Sequence, residues 1–485
     1  VLLVGATLTH RYDATRIYIL IWGGFITAAA FTQTRFNYYL AIVVAVFNAL
    51  LVAWVVGYLD LQGAIETATE SAREIEGWQV IVGVTVLFLI IGPFVFPTVA
   101  AWDRGGNNGP GAVTVWEDSL EWMNDETPQP GTLGGADNAM DPDGTYSVPD
   151  DGNFDYPDGA YGVQSWWDYG HWITVHGERI PNANPFQQNA GNAARYLLAP
   201  NETAANEVLN ETMDKGDQTR YVMVDHKMVT FGSKFGAPTV FNDRVSRGDF
   251  RTTYPVTRNN RVITRIFAAK QPYYESQMVR LYAYHGSAAD PAPVVVEPQS
   301  QTATYQGRRV RADAASVTTF RTLSAARRYV ENNPRAQLGG LGMNPTQRVP
   351  ALEHYRLVHS NSVNALRGRT QLRRNNVRIA RGTNASLNRL FRTTPSWVKT
   401  FEKVPGATVE GSGAPAGAEI STTVQVNNPA ADRNFTYTQY ATADESGNFK
   451  MTLPYSTTGY DNFGPENGYT NVSVRAVSDY RFRTT

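Results

Sequence analysis

The chain has 485 residues, 42% of them hydrophobic and 18% charged, with 43 Lys and Arg against 44 Asp and Glu. That length excludes a single core, the composition excludes a disordered or fibrous chain, and a net charge of −1 gives nucleic acid no footing as a partner. With no cysteine, disulfides, thiolate catalysis and Cys-ligated zinc are excluded too.

The opening VLLVGATLTH has no Met, no basic n-region and no cleavage site, so it reads as the tail of an apolar segment rather than a signal peptide. The chain is expected to be a fragment. Three apolar stretches follow, over 14–31, 38–56 and 78–102. Each approaches or exceeds the roughly 20 residues that cross a bilayer. Trp22, Tyr38, Trp54, Trp78 and Trp102 lie toward their ends, where interfacial aromatics belong. Arg11 and Arg16 put the start of the first span inside and everything after Trp102 outside. Arg35, in TQTRFNYYL, falls where two spans meet at the outer face. Snorkelling to lipid phosphate and holding a bound anionic head group are both open to it.

Beyond residue 102 the pattern changes. VTVWEDSLEWMNDETPQPG sets Trp116, Leu120 and Met123 on one face of an amphipathic helix. A Gly/Asp/Pro-rich stretch over 131–162 reads as a long loop. NANPFQQNAGNAARYLLA and NETAANEVLNETMDKG read as a loop and then helices, and TRYVMVDHKMV as a buried strand ending at Asp225. A strand that delivers an acid at its end often places that side chain at a site. Residues 101–160 hold 13 acids against one arginine, whereas 301–400 hold 18 Lys and Arg against three acids. Near the end, ATVEGSGAPAGAEISTTVQVNN and NFKMTLPYSTTG alternate between Gly, Pro and Asn turns, which predicts β-rich, sandwich-like modules. The expected organisation is transmembrane helices over 1–102, an extracellular α/β domain over 103–300, a mixed basic segment over 301–400 and a β-sandwich-like module over 401–485.

The densest signal is SWWDYGHWI, residues 165–173, which gathers three tryptophans and a tyrosine around Asp168. Three uses are open. The rings can be an apolar anchor with Asp168 capping a helix. They can be a platform for stacking sugars. Or Asp168 and the indoles can form a small polar pocket for a hydroxyl or amide. Such a pocket rejects ligands that lack the matching donor, because its own acceptor would be left unpaired. The nearby His171, His176 and His226 read as structural, and Asp151, Asp155 and Asp158 as a solvated loop rather than metal ligands.

WWDYG just after the last apolar stretch resembles the signature of oligosaccharyltransferase catalytic subunits. TQTRFNYYL, VWEDSLEWMNDETP, WWDYGHWITVHGERIPNANPFQQNA and VKTFEKVPGATVEG extend the likeness, from Arg35 to the C-terminus, to the haloarchaeal AglB type. The resemblance implies en bloc transfer of a glycan from a dolichol-phosphate-type lipid to the Asn of Asn-x-Ser/Thr sequons. It implies a multi-pass, single-subunit glycosyltransferase of the cell membrane with its C-terminal domain outside. Trp166, Trp167, Asp168, Tyr169 and Gly170 would bind the sequon Ser/Thr, with Asp168 as principal acceptor, and Arg35 would hold the donor phosphate. The family's second sequon element, Asp-x-x-Lys-x-x-x-Met/Ile, is met only by Asp225 in DHKMVTFGSKF. Met228 stands at the Lys position and Gly232 at the last one, with Lys227 and Lys234 flanking the pattern. Contact with a Thr methyl and core packing are both open to Met228. The family's divalent cation, Mn2+ or Mg2+, is held by carboxylates in earlier loops. None is therefore expected to bind this stretch, no catalytic residue or metal ligand is assigned in it, and alone it is expected to be inactive. The rival reading is a non-catalytic, membrane-anchored glycan-binding or adhesion protein.

Overall fold

The computed structural model describes residues 14–33, 36–58, 111–141, 156–212, 219–258, 261–305, 308–363, 365 and 396–484. The chain divides into two compact units, 1–111 and 112–485.

In the first unit two apolar stretches form helices, α1 (Ala14–Thr32) and α2 (Asn37–Tyr58). They touch at Gly23, where an added Cβ would come within 2.9 Å of Val43. Ile21, Phe25, Phe31 and Ile42 stay exposed on their outer faces. Among the described residues no helix is long and apolar enough to cross a membrane. The third apolar stretch, 78–102, lies outside the described residues, as do Arg11, Arg35, Asp151 and Asp155.

The second unit begins with α3 (Glu117–Glu126), on which Leu120 and Met123 are fully buried together with the preceding Trp116. Residues four and three apart share one face of a helix, and that face packs into the main core. Strands follow in chain order: β1 (Gly162–Gln164), β2 (Ile180–Pro181), β3 (Thr219–Asp225), β4 (Arg251–Arg258), β5 (Arg261–Ala269), β6 (Val294–Tyr305), β7 (Arg308–Thr319), β8 (Gln337–Leu338), β9 (Tyr355–Ser360) and β10 (Val398–Lys403). The central sheet has the order β2-β1-β3-β10-β9, with β1 parallel to both its neighbours and β10 antiparallel to β3 and β9. β3 is buried at every residue but Arg220, as a central strand covered on both faces should be. The hairpins β4–β5 and β6–β7 form a separate sheet, joined by β8. β6 runs across the boundary expected at residue 300 and β10 across that at 400.

Six strands close the chain: β11 (Ala407–Gly411), β12 (Glu419–Asn428), β13 (Arg433–Thr442), β14 (Phe449–Leu453), β15 (Arg475–Ala476) and β16 (Arg481–Thr484). β11 pairs with β14, while β12 pairs with β13, β15 and β16. Ile420 from the second sheet and Met451 and Leu453 from the first share one buried cluster, so the alternation read from the sequence does serve two facing sheets.

Glu402, in the middle of the central sheet, ties this end to the core. Its carboxylate is fully buried, with Arg220 of β3 at 2.7 Å, Arg356 of β9 at 2.6 Å and the Thr470 hydroxyl donating at 2.7 Å. Burial works against the charge, but Arg356 and Arg220 outweigh it and hold the carboxyl below its ordinary range. A depressed folded pKa means stability that is present above the unfolded pKa of about 4.3 and lost as pH falls through the folded one. Glu402→Gln leaves two guanidiniums without a counter-charge. It should cost about 3–5 kcal/mol in denaturant unfolding at pH 7, with the difference from wild type shrinking as the pH is taken below 4.

Candidate functional site

WWDYG sits where β1 hands over to a helix. Ser165 fixes the strand end, its hydroxyl donating to Met223 O of β3 at 2.9 Å. Trp166 remains extended, residues Trp167–Tyr169 make one 3-10 turn, and a helix, α4, runs over Gly170–Val175. Gly170 is required by closeness: a Cβ there would lie 2.3 Å from Ala183 O. Asp168 caps no helix, since no side-chain cap bond is made at the start of either element. That removes the capping role from the anchor reading.

The rings take different parts. Trp166 is buried, with Phe241 edge-on at 5.5 Å and Trp167 at 5.8 Å. Trp167 is half-buried, and its indole N–H is enclosed without an acceptor among the described residues. Tyr169 is buried against Trp116 at 4.3 Å and Trp172 at 5.2 Å. Its hydroxyl crosses to the second expected element, donating to Asp225 Oδ2 at 2.9 Å. The other oxygen, Asp225 Oδ1, accepts the Met228 N–H at 3.0 Å. Asp225 is thus a fully buried bracket between the motif and the turn that follows β3. Burial pushes its carboxyl up, against the pull of the Met228 N–H, the Tyr169 hydroxyl and the charges of Lys227 and Lys234.

Asp168 is the exposed member, its side chain 29% accessible. Its Oδ2 is ion-paired with the Lys234 ammonium, which also lies 4.4 Å from the Tyr169 ring centroid. Asp168 Oδ1 has no partner among the described residues. An ionised carboxylate is acceptor-only, so the half-open Asp168 keeps one acceptor oxygen unengaged. A hydroxyl, which can donate to that oxygen, matches it.

The residues expected from sequence are therefore partly brought together. Trp166, Trp167, Asp168, Tyr169, Gly170 and Asp225 converge. Met228 contributes its backbone N–H, while its side chain is 1% exposed and belongs to the main core. His171 and His176 are exposed, and Asp158 lies in an exposed turn. The sequence pattern missed Lys234, which falls six residues beyond the motif's Lys position. The turn after β3 folds back on itself, the Lys234 N–H donating to Lys227 O at 3.1 Å, and this returns the ammonium to Asp168. Phe241 was missed as well, having no local signal.

Comparison with known proteins adds to this geometry. The family described as AglB core domain matches residues 113–229, and the archaeal glycosylation protein B long peripheral domain matches 406–484. The dolichyl-monophosphooligosaccharide–protein glycotransferase AglB of Haloferax volcanii is 49% identical over 99% of this chain and 47% of its own length. The oligosaccharyltransferase of Archaeoglobus fulgidus has the same fold. Its apo form gives a TM-score of 0.62 at 22% identity, covering 99% of this chain and 52% of that one. Solved with an inhibitory peptide and a dolichol-phosphate, it gives 0.56 at 21%, covering 96% and 50%. With zinc and sulfate it gives 0.56 at 20%, covering 99% and 55%. The chain spans about half the length of the curated relatives it matches.

The raised pKa of Asp225 has a sign. A raised folded pKa contributes stability below the unfolded value of 3.8 that is lost as pH rises through the folded value. Asp225→Asn removes that dependence, so its stability relative to wild type should improve between pH 3.5 and pH 7 in paired urea titrations. Tyr169→Phe should instead lose about 1–3 kcal/mol at pH 7, the cost of leaving a buried carboxylate oxygen without its donor.

Proposed function

Because the chain belongs to the AglB family, we propose that it is the sequon-reading part of an oligosaccharyltransferase. That enzyme moves a glycan from a dolichol-phosphate-type lipid to the Asn of an Asn-x-Ser/Thr sequon. The observation that carries the reading is Asp168, a half-open carboxylate with one oxygen unengaged, in the turn that also holds Trp167 and Tyr169. In this proposal Asp168 accepts a hydrogen bond from the sequon hydroxyl. Trp166 and Trp167 wall the pocket, Tyr169 and Asp225 fix its floor, and Gly170 allows the next segment to close behind it. Met228 acts from within the core by holding Asp225. Lys234 sets the position of the Asp168 carboxylate.

Reading the hydroxyl two residues beyond the asparagine is separate chemistry from activating the asparagine. An amide nitrogen is a weak nucleophile, its lone pair delocalised into the carbonyl. A divalent cation, when bound, supplies the charge that polarises the acceptor and neutralises the leaving phosphate. Among the described residues no group of three or more His, Asp or Glu could hold a metal ion. Arg35, outside the described residues, is proposed to hold the lipid phosphate with its guanidinium fork.

The proposed setting is the cell membrane, with the second unit outside the cell in a single-subunit enzyme. The exposed Ile21, Phe25, Phe31 and Ile42 of α1 and α2 support an apolar environment, since large apolar side chains exposed along neighbouring helices need cover from water.

The test is peptide binding. A fluorescent Asn-x-Thr peptide, with a photocrosslinker to capture weak complexes, should label the detergent-solubilised chain about tenfold more than Asn-x-Ala does, the equivalent of about 1.4 kcal/mol. Asp168→Ala should abolish the difference. Equal labelling by both peptides and by the variant would remove the transferase reading in favour of an aromatic platform for sugars.

A further inference from the structure

We propose that a cavity in the 112–485 unit, with no WWDYG residue in its lining, binds a neutral oligosaccharide. Its volume is about 640 Å3, within the roughly 300–1,000 Å3 of small-molecule sites and far larger than an ion needs. Three segments line it: the end of α3 with the loop after it, Glu178 and Arg179, and the 465–468 turn of the C-terminal strands.

The seam between these segments is built. Gly134 N–H donates to Gly468 O at 2.8 Å, and Asn471 N–H donates to Glu126 O at 2.9 Å. Gly468, at φ +77, lies so close to the opposite loop that a Cβ would come within 2.2 Å of Gly135 N. The cavity is therefore a fixed feature of the fold and not a gap between loosely placed loops.

Its chemistry is one-sided. Arg179 is the cation in the wall, 2% exposed, and its donors are already taken. Nε serves the Thr127 and Tyr161 oxygens, Nη1 the Gly177 and Glu178 carbonyls, and Nη2 the Asn124 and Thr127 carbonyls. It has nothing left for an anion. The carboxylates of Asp137 and Glu178 have no partner among the described residues, and Glu466 accepts only from Asn467, at 2.9 Å. A wall of free acceptors suits a ligand rich in hydroxyl donors and repels phosphates and uronic acids. The carboxylates do not converge as a metal site would require, since no group of three acids or histidines among the described residues could hold an ion.

Two rings complete the arrangement. Phe463 and Tyr469, 50% and 39% exposed, meet at 5.0 Å and 74° and flank the 465–468 wall segment in sequence. The rings are not part of the lining itself, but exposed rings joined directly to a wall segment offer the apolar face that the C–H side of a pyranose stacks on. The Glu178–Arg179 wall follows α4, which springs from the motif's Gly170. A glycosylated polypeptide or a lipid-linked glycan would each present the same chemistry. The cavity's chemistry does not rest on the sequon reading.

The test is equilibrium dialysis of the detergent-solubilised chain with labelled maltotriose, mannotriose and chitotriose, beside trigalacturonate and spermidine. At least one neutral trisaccharide should bind with a Kd of about 1 mM or tighter. Binding should weaken about tenfold in Phe463→Ala and in Glu466→Ala, two exposed positions whose unfolding temperatures should match wild type. Asp168→Ala should bind the sugar as wild type does, so the failure of one site is told from the failure of the other. Displacement by a glycopeptide or by a dolichyl-phosphate-linked glycan would support the site and tell which carrier it serves. Equal binding of trigalacturonate or spermidine, or no neutral sugar bound below about 10 mM, would overturn the proposal.

Discussion

The site depends on one buried carboxylate. Asp225 has no contact with solvent, and a carboxylate in that position is costly unless its oxygens are satisfied. One oxygen takes the Tyr169 hydroxyl and the other the Met228 N–H. The first bond fixes the motif turn against β3, and the second fixes the turn that returns Lys234 to Asp168. Two elements 56 residues apart in the chain are thereby held to one geometry. The exposed Asp168, which is free to meet a ligand, borrows its position from the buried Asp225, which is not.

Glu402 plays the corresponding part for the rest of the second unit. Its neighbours come from β3, from β9 and, through Thr470, from the C-terminal stretch. The Thr470 hydroxyl also meets the Tyr221 hydroxyl of β3. An ion pair this buried is weak evidence for net stability compared with an apolar core. Its value lies in specificity: only one register of β10 between β3 and β9 sets Glu402 between the two arginines. The same register places Val398 opposite Asp225, so the central sheet and the site bracket are aligned together.

Much of this was legible in the sequence, for physical reasons that differ by element. The helix at 117–126 announced itself because Trp116, Leu120 and Met123 recur at helical spacing, and all three are buried. The strand ending at Asp225 showed as an unbroken apolar run, as a strand covered on both faces must. WWDYG was visible as composition, since a carboxylate among four rings serves no ordinary core. What failed was anything that depends on return of the chain. Lys234 did not fit a spacing rule because an extended turn, not a helix, carries it back to Asp168. Phe241 reaches Trp166 and Trp167 from 75 and 74 residues away, and no local pattern encodes that. The boundaries expected at 300 and 400 fell inside β6 and β10 because charge composition, which suggested them, follows surface rather than strand pairing.

The ion pair at Asp168 bears on how selective such a pocket can be. Both partners are about 30% exposed, so the pair itself contributes no more than about 1 kcal/mol. It occupies Oδ2 and leaves Oδ1 open, so an incoming hydroxyl need not displace the lysine. A hydrogen bond to a charged acceptor is worth about 1.5–3 kcal/mol, and a carboxylate that keeps some contact with water recovers part of that when the ligand lacks a hydroxyl. The discrimination against an alanine at the same position should then sit near the lower end, on the order of tenfold. Stricter rejection would need Asp168 to be sealed from water in the complex.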